Sequence, residues 1–251
     1  NARQRFDEIE KKRASWQALS VDLHKRLNLN RQPRRIECVD ISNISGTNAV
    51  GSLVRYENGE PVKNGYRRYK IKEVQGPDDY SMMREVLNRR FAEQKEGDDF
   101  PELLMVDGGK GQLAVAESIL KENNLLQTID LIGIAKERQD EGEKLYRPGR
   151  KNPIILPSHN PVLLYLMRIR DESHRFGVAF HRSLRTRQTL SSKLDGIPGV
   201  GPVRKKQVLK EIGSLKKISE ASVADLMSVD GIGAELAEEI HNYFQSTPVS
   251  G

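Results

Sequence analysis

Cysteine is all but missing from this 251-residue chain, where Cys38 stands alone. A lone cysteine excludes an internal disulfide and a cysteine-based metal site, and its place in an apolar alternation marks it as a core residue. No apolar run approaches the roughly 18 residues that a membrane helix needs. The first residues, "NARQRFDEIEKKR", carry no signal-peptide core. These absences set aside disulfide scaffolds and membrane spanners and lead us to expect a reducing, cytoplasmic setting. The loop "DGGKG" lacks the Ser or Thr that a nucleotide-binding loop needs after Gly-Lys, since Gly111 follows Lys110, so ATP is not an expected ligand. With 30% charged and 37% hydrophobic residues, the composition is that of an ordinary globular protein with one large or two modest domains.

Charge is present but unevenly placed. The net charge is +6, yet residues 182–217 hold ten Lys or Arg against two acids, a local +8. Residues 218–251 reverse this, with six acids and no Lys or Arg. A basic face confined to one segment suits a polyanionic partner, although a charge run is more often a solvated surface.

The apolar periods give the order of elements. Residues 4–27 read as a helix that docks through Phe6, Ile9, Trp16, Leu19 and Leu23. Strand 35–42 follows, then two strands around the turn at Asn58-Gly59. An amphipathic helix is predicted over 78–94, a strand ending at Asp107, a helix through 111–124 and a strand over 130–137. After a polar loop or short hairpin, a long helix opens with Asn160 as its cap and Pro161 at its first position.

Three strands in meander, then helix, strand, helix, strand and terminal helices, is the pattern of an α/β ribonuclease H-like domain, a mixed sheet flanked by helices. In that arrangement the strand carrying Asp40 neighbours the strand that runs through "LLMVD" to Asp107. One aspartate near a strand end is more often a cap or turn residue. Two at neighbouring ends repel each other unless a cation sits between them. Carboxylates with waters and substrate phosphates are the usual Mg2+ donors, so Asp40 and Asp107 are the expected ligands of Mg2+ or Mn2+. Asp79 reads equally well as a helix N-terminal residue and as a catalytic acid. His174, in "RIRDESHRFG", has Asp171 three positions earlier as an orienting carboxylate.

The C-terminal region repeats a form. "IPGVG" (197–201) and "VDGIG" (229–233) each precede a helix-like segment. We read them as a small all-α domain of tandem helix-hairpin-helix motifs. Their glycines, Gly199, Gly201, Gly231 and Gly233, permit tight turns and leave backbone N–H groups free for a phosphate. Arg204, Lys205 and Lys206 follow the first hairpin, whereas Glu235, Glu238 and Glu239 follow the second, so the two are expected to be unequal. A plain helical packing module is the competing reading.

The blocks "CVDISNISG", "YRRYKI", "GPDDYSMMREVLNRRF", "MVDGGKGQL", "IRDESHRFGVAFHR" and "IPGVG", in this order, resemble the C-terminal half of the UvrC family, the incision subunit of bacterial nucleotide excision repair. The resemblance covers roughly residues 20–245. It implies a metal-dependent DNA endonuclease that makes the 5′ incision beside a lesion, with the hairpins binding DNA. By position it puts the active site on Asp40, Asp107 and His174, with Asp79 as a further acid, and implies UvrB with DNA as partners in a longer protein. The family's N-terminal nuclease and UvrB-binding segment have no counterpart here, so a fragment is expected. The expected organisation is a helical segment (1–30), the endonuclease domain (31–184), a flexible linker (185–195), the hairpins (196–245) and a disordered tail (246–251). The alternative is a non-catalytic, structure-selective DNA-binding scaffold.

Overall fold

Strand β1 (Arg35–Ser42) is the spine of the first half of the chain. It pairs antiparallel with β2 (Val50–Glu57) on one side and parallel with β5 (Leu103–Asp107) on the other. The computed structural model describes residues 2–42, 49–74, 76–91, 100–136, 142–213 and 215–246, and the chain divides into two compact units, Asn1–Phe180 and His181–Gly251. Among the described residues the sheet continues through β6 (Asp130–Lys136), β7 (Glu143–Tyr146) and β8 (Ile154–Ile155), β7 and β8 forming the short hairpin left open by the sequence. No helix of the described residues is long and apolar enough to cross a membrane.

Strand periodicity decides which helix each residue meets. Ile36, Cys38, Leu103 and Met105 bury with α1 (Ala2–Leu27) and α4 (Pro161–Asp195) on one face of the sheet. Val39, Leu104 and Val106 bury on the other with α2 (Asp79–Phe91) and α3 (Lys110–Glu122). A strand covered on both faces reads as an unbroken apolar run, which is why "LLMV" does. Helix α4 starts as expected, with the Asn160 side chain accepting from the Val162 N–H at 2.9 Å and Pro161 following it. This mixed sheet between helices is a ribonuclease H-like domain.

Two elements differ from expectation. The arm after Asn58-Gly59 is broken: β3 (Glu60–Pro61) stops at a proline, a 3-10 turn spans Lys63–Gly65, and β4 (Arg67–Lys70) then pairs with β2. Residues 185–195, read as a linker, have a helical backbone within α4. Their polarity suggested a loop, but no Gly or Pro interrupts 178–195, and Leu, Arg, Gln and Lys are good helix formers. Residues 247–251 of the expected tail, residue 137 of the expected strand and 92–94 of the expected helix lie outside the described residues.

In the second unit, α5 (Pro202–Glu211), α6 (Leu215–Glu220), α7 (Val223–Met227) and α8 (Ala234–Ser246) enclose a core that includes Ile197, Val208, Leu226 and Ile240. Tight turns at Gly199 (φ 78°) and Gly231 (φ 80°) open its two hairpins.

The Asn58-Gly59 turn also anchors α1. Gly59 has φ 85°, and a Cβ there would sit 2.8 Å from the Trp16 ring. Gly59→Ala should therefore destabilise the fold by about 1–3 kcal/mol through backbone strain and a displaced α1. Trp16 is the only tryptophan, so its emission reports directly on that docking. An unchanged melting temperature with unchanged emission would refute this coupling.

Candidate active site

The last β1–β5 pair is Val39 with Val106, so Asp40 and Asp107 are the next residue on each strand. Both share the face of Cys38 and Met105, which α4 crosses, and α4 brings His174 to them. His174 Nδ1 lies 3.4 Å from Asp40 Oδ2, and one donor atom from each of the three residues falls within 4.8 Å of the others. Asp40 is buried, Asp107 half-buried and His174 exposed, so the cluster opens to solvent on the histidine side. Asp171 does not orient His174. It pairs with Arg170 at 2.8 Å, and Asp40 takes the place beside the imidazole.

A set of hydroxyls sets this geometry. Ser42 Oγ donates to Asp40 Oδ2 at 2.8 Å. Ser52 Oγ donates to the Ser173 carbonyl at 2.9 Å, and Ser173 Oγ donates to the Cys38 carbonyl at 3.3 Å, which ties the His174 turn of α4 to β1 and β2. Gly177 lets the helix come this close: a Cβ there would lie 2.9 Å from Ser42 Oγ and 3.5 Å from Asp40 Oδ2. Sequence reading missed these four residues. Their signals were weak but present: Ser42 shares a strand face with Asp40, and Gly177 lies one turn beyond His174.

Charge separates Asp40 from every other buried acid among the described residues. Glu37 has Arg55 and Arg90, Glu85 has Arg89, Asp130 has Arg147, and Glu143 has Arg170. Asp40 has no arginine. Its neighbour Asp107 is pushed up to about 6, first by burial and then by the Asp40 charge, with Arg170 and His174 opposing. Burial, with the two aspartates adding to it, also drives the Cys38 thiol well up, so it is an inert core group. Two crowded oxygen donors with a third ligand at the rim fit a divalent cation.

Asp79 lies elsewhere. It occupies the first turn of α2, exposed, and is not in the three-residue cluster. The cap itself is Asp78, whose Oδ1 accepts from the Ser81 N–H at 3.1 Å.

The second unit carries the hairpin residues. Gly201 caps α5, and the space where a Cβ would stand at Gly201 or Gly233 is empty for 4 Å. Neither needs to be glycine for the chain's own packing, and each leaves the adjoining backbone open. Arg204 donates to the Gly199 carbonyl at 2.9 Å, Lys205 is engaged by Asp195 at 2.6 Å, and Lys206 is exposed. In the second hairpin, Glu235 stands in the first turn of α8.

Comparison with known proteins agrees with this division. The UvrC RNase H endonuclease domain matches residues 24–178, and a SAM-like helix-hairpin-helix tandem matches residues 191–245. The chain belongs to the UvrC RNase H endonuclease domain family. It is 58% identical to the UvrABC system protein C of Desulfotalea psychrophila over 98% of this chain and 40% of that protein. It is 43% identical to the same-named protein of Syntrophotalea carbinolica over 100% of this chain and 42% of that one. The chain thus spans about two fifths of the length of these relatives. Among solved structures, Bacillus subtilis endonuclease V is a distant likeness, with 10% identity, a TM-score of 0.36, and 65% of this chain and 91% of that chain covered.

The raised Asp107 predicts a pH dependence. Its folded value near 6 exceeds the ordinary 3.8, so the folded state holds an extra proton between those values. Without a cation, stability is therefore lost as pH rises from about 4 through 6, by on the order of 2–3 kcal/mol. Asp107→Asn in chelator should remove that loss, raising the melting temperature at pH 8 but not at pH 4. Equal gains at both pH values would contradict it.

Proposed function

We propose that this chain is the part of an excision-repair nuclease that makes the 5′ incision beside a DNA lesion, using a divalent cation held by Asp40 and Asp107. The observation that carries the reading is the convergence of Asp40, Asp107 and His174, where Asp40 is, among the described residues, the buried acid without an arginine partner. A cation there supplies Lewis acidity toward a phosphodiester oxygen and lowers the pKa of water to make a nucleophile. Asp40, fixed by Ser42, and Asp107 set the cation's position. His174, exposed beside Asp40, would position water or a phosphate oxygen at the cation. Asp79, exposed at the head of α2 and outside the cluster, would not hold the cation.

Mg2+ and Mn2+ both suit the two carboxylates, with waters and substrate phosphate oxygens filling the remaining positions. The hairpins would hold the DNA backbone through the N–H groups at Gly199, Gly201, Gly231 and Gly233, independently of sequence. The relatives' UvrABC name supports UvrB as a partner of the longer protein and a cytoplasmic place of action. The rival reading, a DNA-binding scaffold, predicts binding without cutting and has no use for two unneutralised carboxylates.

Asp40→Asn should abolish Mn2+ binding by calorimetry and nicking of a bubble duplex while the circular dichroism spectrum is retained. Unchanged Mn2+ affinity would overturn the ligand assignment. Wild-type DNA binding without nicking at any Mg2+ or Mn2+ concentration would favour the scaffold.

The hairpin contacts separate by partner. Lys206 is exposed, whereas Lys205 is engaged by Asp195. Lys206→Ala should flatten the salt dependence of duplex binding by about 0.9, the value of one phosphate contact, and Lys205→Ala by less. The reverse order, read from isotherms at several salt concentrations, would mean that the lysine leaves Asp195 on binding.

A further inference from the structure

The block "YRRYKI" has no part in the cluster described above, yet it lies beside it. In the sheet register Asp40 pairs with Ser52, and Ser52 pairs with Arg68 of β4. Paired residues project from the same face, so Arg68 shares the α4 face with Asp40, two strand spacings away, roughly 10 Å between Cα atoms. There its guanidinium lies over the Phe176 ring at 4.1 Å and near the Phe180 ring at 5.0 Å, and Phe176 is two residues beyond His174 on α4.

Arginines elsewhere in this unit commonly meet a carboxylate: Arg35 with Glu57, Arg84 with Glu122, Arg175 with Glu172. Arg68 is exposed and, among the described residues, forms no ion pair and no hydrogen bond. Stacking uses only the flat face of a guanidinium. Its N–H donors lie in the plane at the rim, so a stacked arginine is held in place with its donors unspent, ready for an anion that accepts two of them. Two positions along the same face of β4 stands Lys70, exposed and outside any ion pair of the described residues. Phe176 also packs edge-on against Tyr66, which fixes the platform itself.

We propose that Arg68, mounted on Phe176 and Phe180, is a phosphate-binding group of the nuclease domain itself, gripping the backbone of the substrate strand beside the phosphate at the Asp40–Asp107–His174 cluster. Lys70 extends the same track along the edge of β4. The inference rests on the nuclease reading above. It adds that the strand to be cut is positioned by the catalytic domain and not by the hairpins alone.

The test is binding of a fluorescent bubble duplex to the full chain at several salt concentrations. Arg68→Gln, Arg68→Lys and, as a hairpin control, Lys206→Ala are compared with wild type. Arg68→Gln should lower the salt slope by about 0.7–0.9, the loss of one phosphate contact, with Mn2+ affinity and melting temperature unchanged. Arg68→Lys should keep the slope but lose affinity several-fold, because the charge survives and the planar fork does not. A wild-type slope in Arg68→Gln would overturn the proposal, as would weaker binding at constant slope with a lowered melting temperature, which marks a packing role. The nuclease reading fails separately: in that case wild type itself does not bind DNA, or binds without cutting.

Discussion

Repulsion between two carboxylates is the constraint around which the first unit is organised. Parallel pairing of β1 and β5 stops at Val39 and Val106, and the next residue on both strands is aspartate. Burial first, and the Asp40 charge after it, make the Asp107 carboxylate costly to ionise, and the cost shows as a pKa pushed up to about 6. Three positions before Asp40 on the same strand, Glu37 is still more deeply buried and is satisfied by two arginines. One strand therefore carries two solutions to a buried carboxylate. On the α2 side the charge is met by arginines of the fold, and on the α4 side Asp40 has, among the described residues, no arginine and only the His174 imidazole as a basic group beside it.

Holding unneutralised charges in register takes rigidity from their neighbours. Hydroxyls supply it: Ser52 and Ser173 clasp α4 to the sheet, and Ser42 fixes the Asp40 carboxylate. Their reach is short, so the helix must approach closely, and Gly177 makes that approach possible. A helix-interior glycine costs about 1 kcal/mol relative to alanine. That expense is local, and it falls one turn from His174, where closeness matters most.

How much of this could be read from the sequence depended on the range of the interaction. The strand ending at Asp107, the Asn160 cap and the Asn58-Gly59 turn are local events, signalled by apolar runs, a capping residue and a turn dipeptide. The meeting of Asp40 with Asp107 was legible because topology alone makes their strands neighbours. What failed was partner choice between side chains. Asp171 looked like the carboxylate for His174 on helical spacing, but Arg170 claims it, and the imidazole turns to a strand residue far off in sequence. Lys205 looked as free as Lys206, and only folding shows Asp195 beside it. The polar stretch 185–195 suggested a loop because polarity was weighed above the absence of any helix breaker.

The same logic of unmet charge orders the exposed surface of each unit. On the proposed reading, a cation held at the cluster would weaken the repulsion that a bare carboxylate pair exerts on a phosphodiester. Among the described residues, Arg68 and Lys70 in the first unit and Lys206 beside the first hairpin in the second form no ion pair with a carboxylate, so each is open to an anion. Arg68 and Lys206 reach that condition differently. One is stacked on aromatic rings and gives geometric precision; the other is an exposed ammonium midway along α5 and gives affinity with little orientation. Under the proposed function the two kinds would divide the work, the stacked arginine positioning a phosphate in the first unit and the ammonium adding sequence-independent affinity in the second.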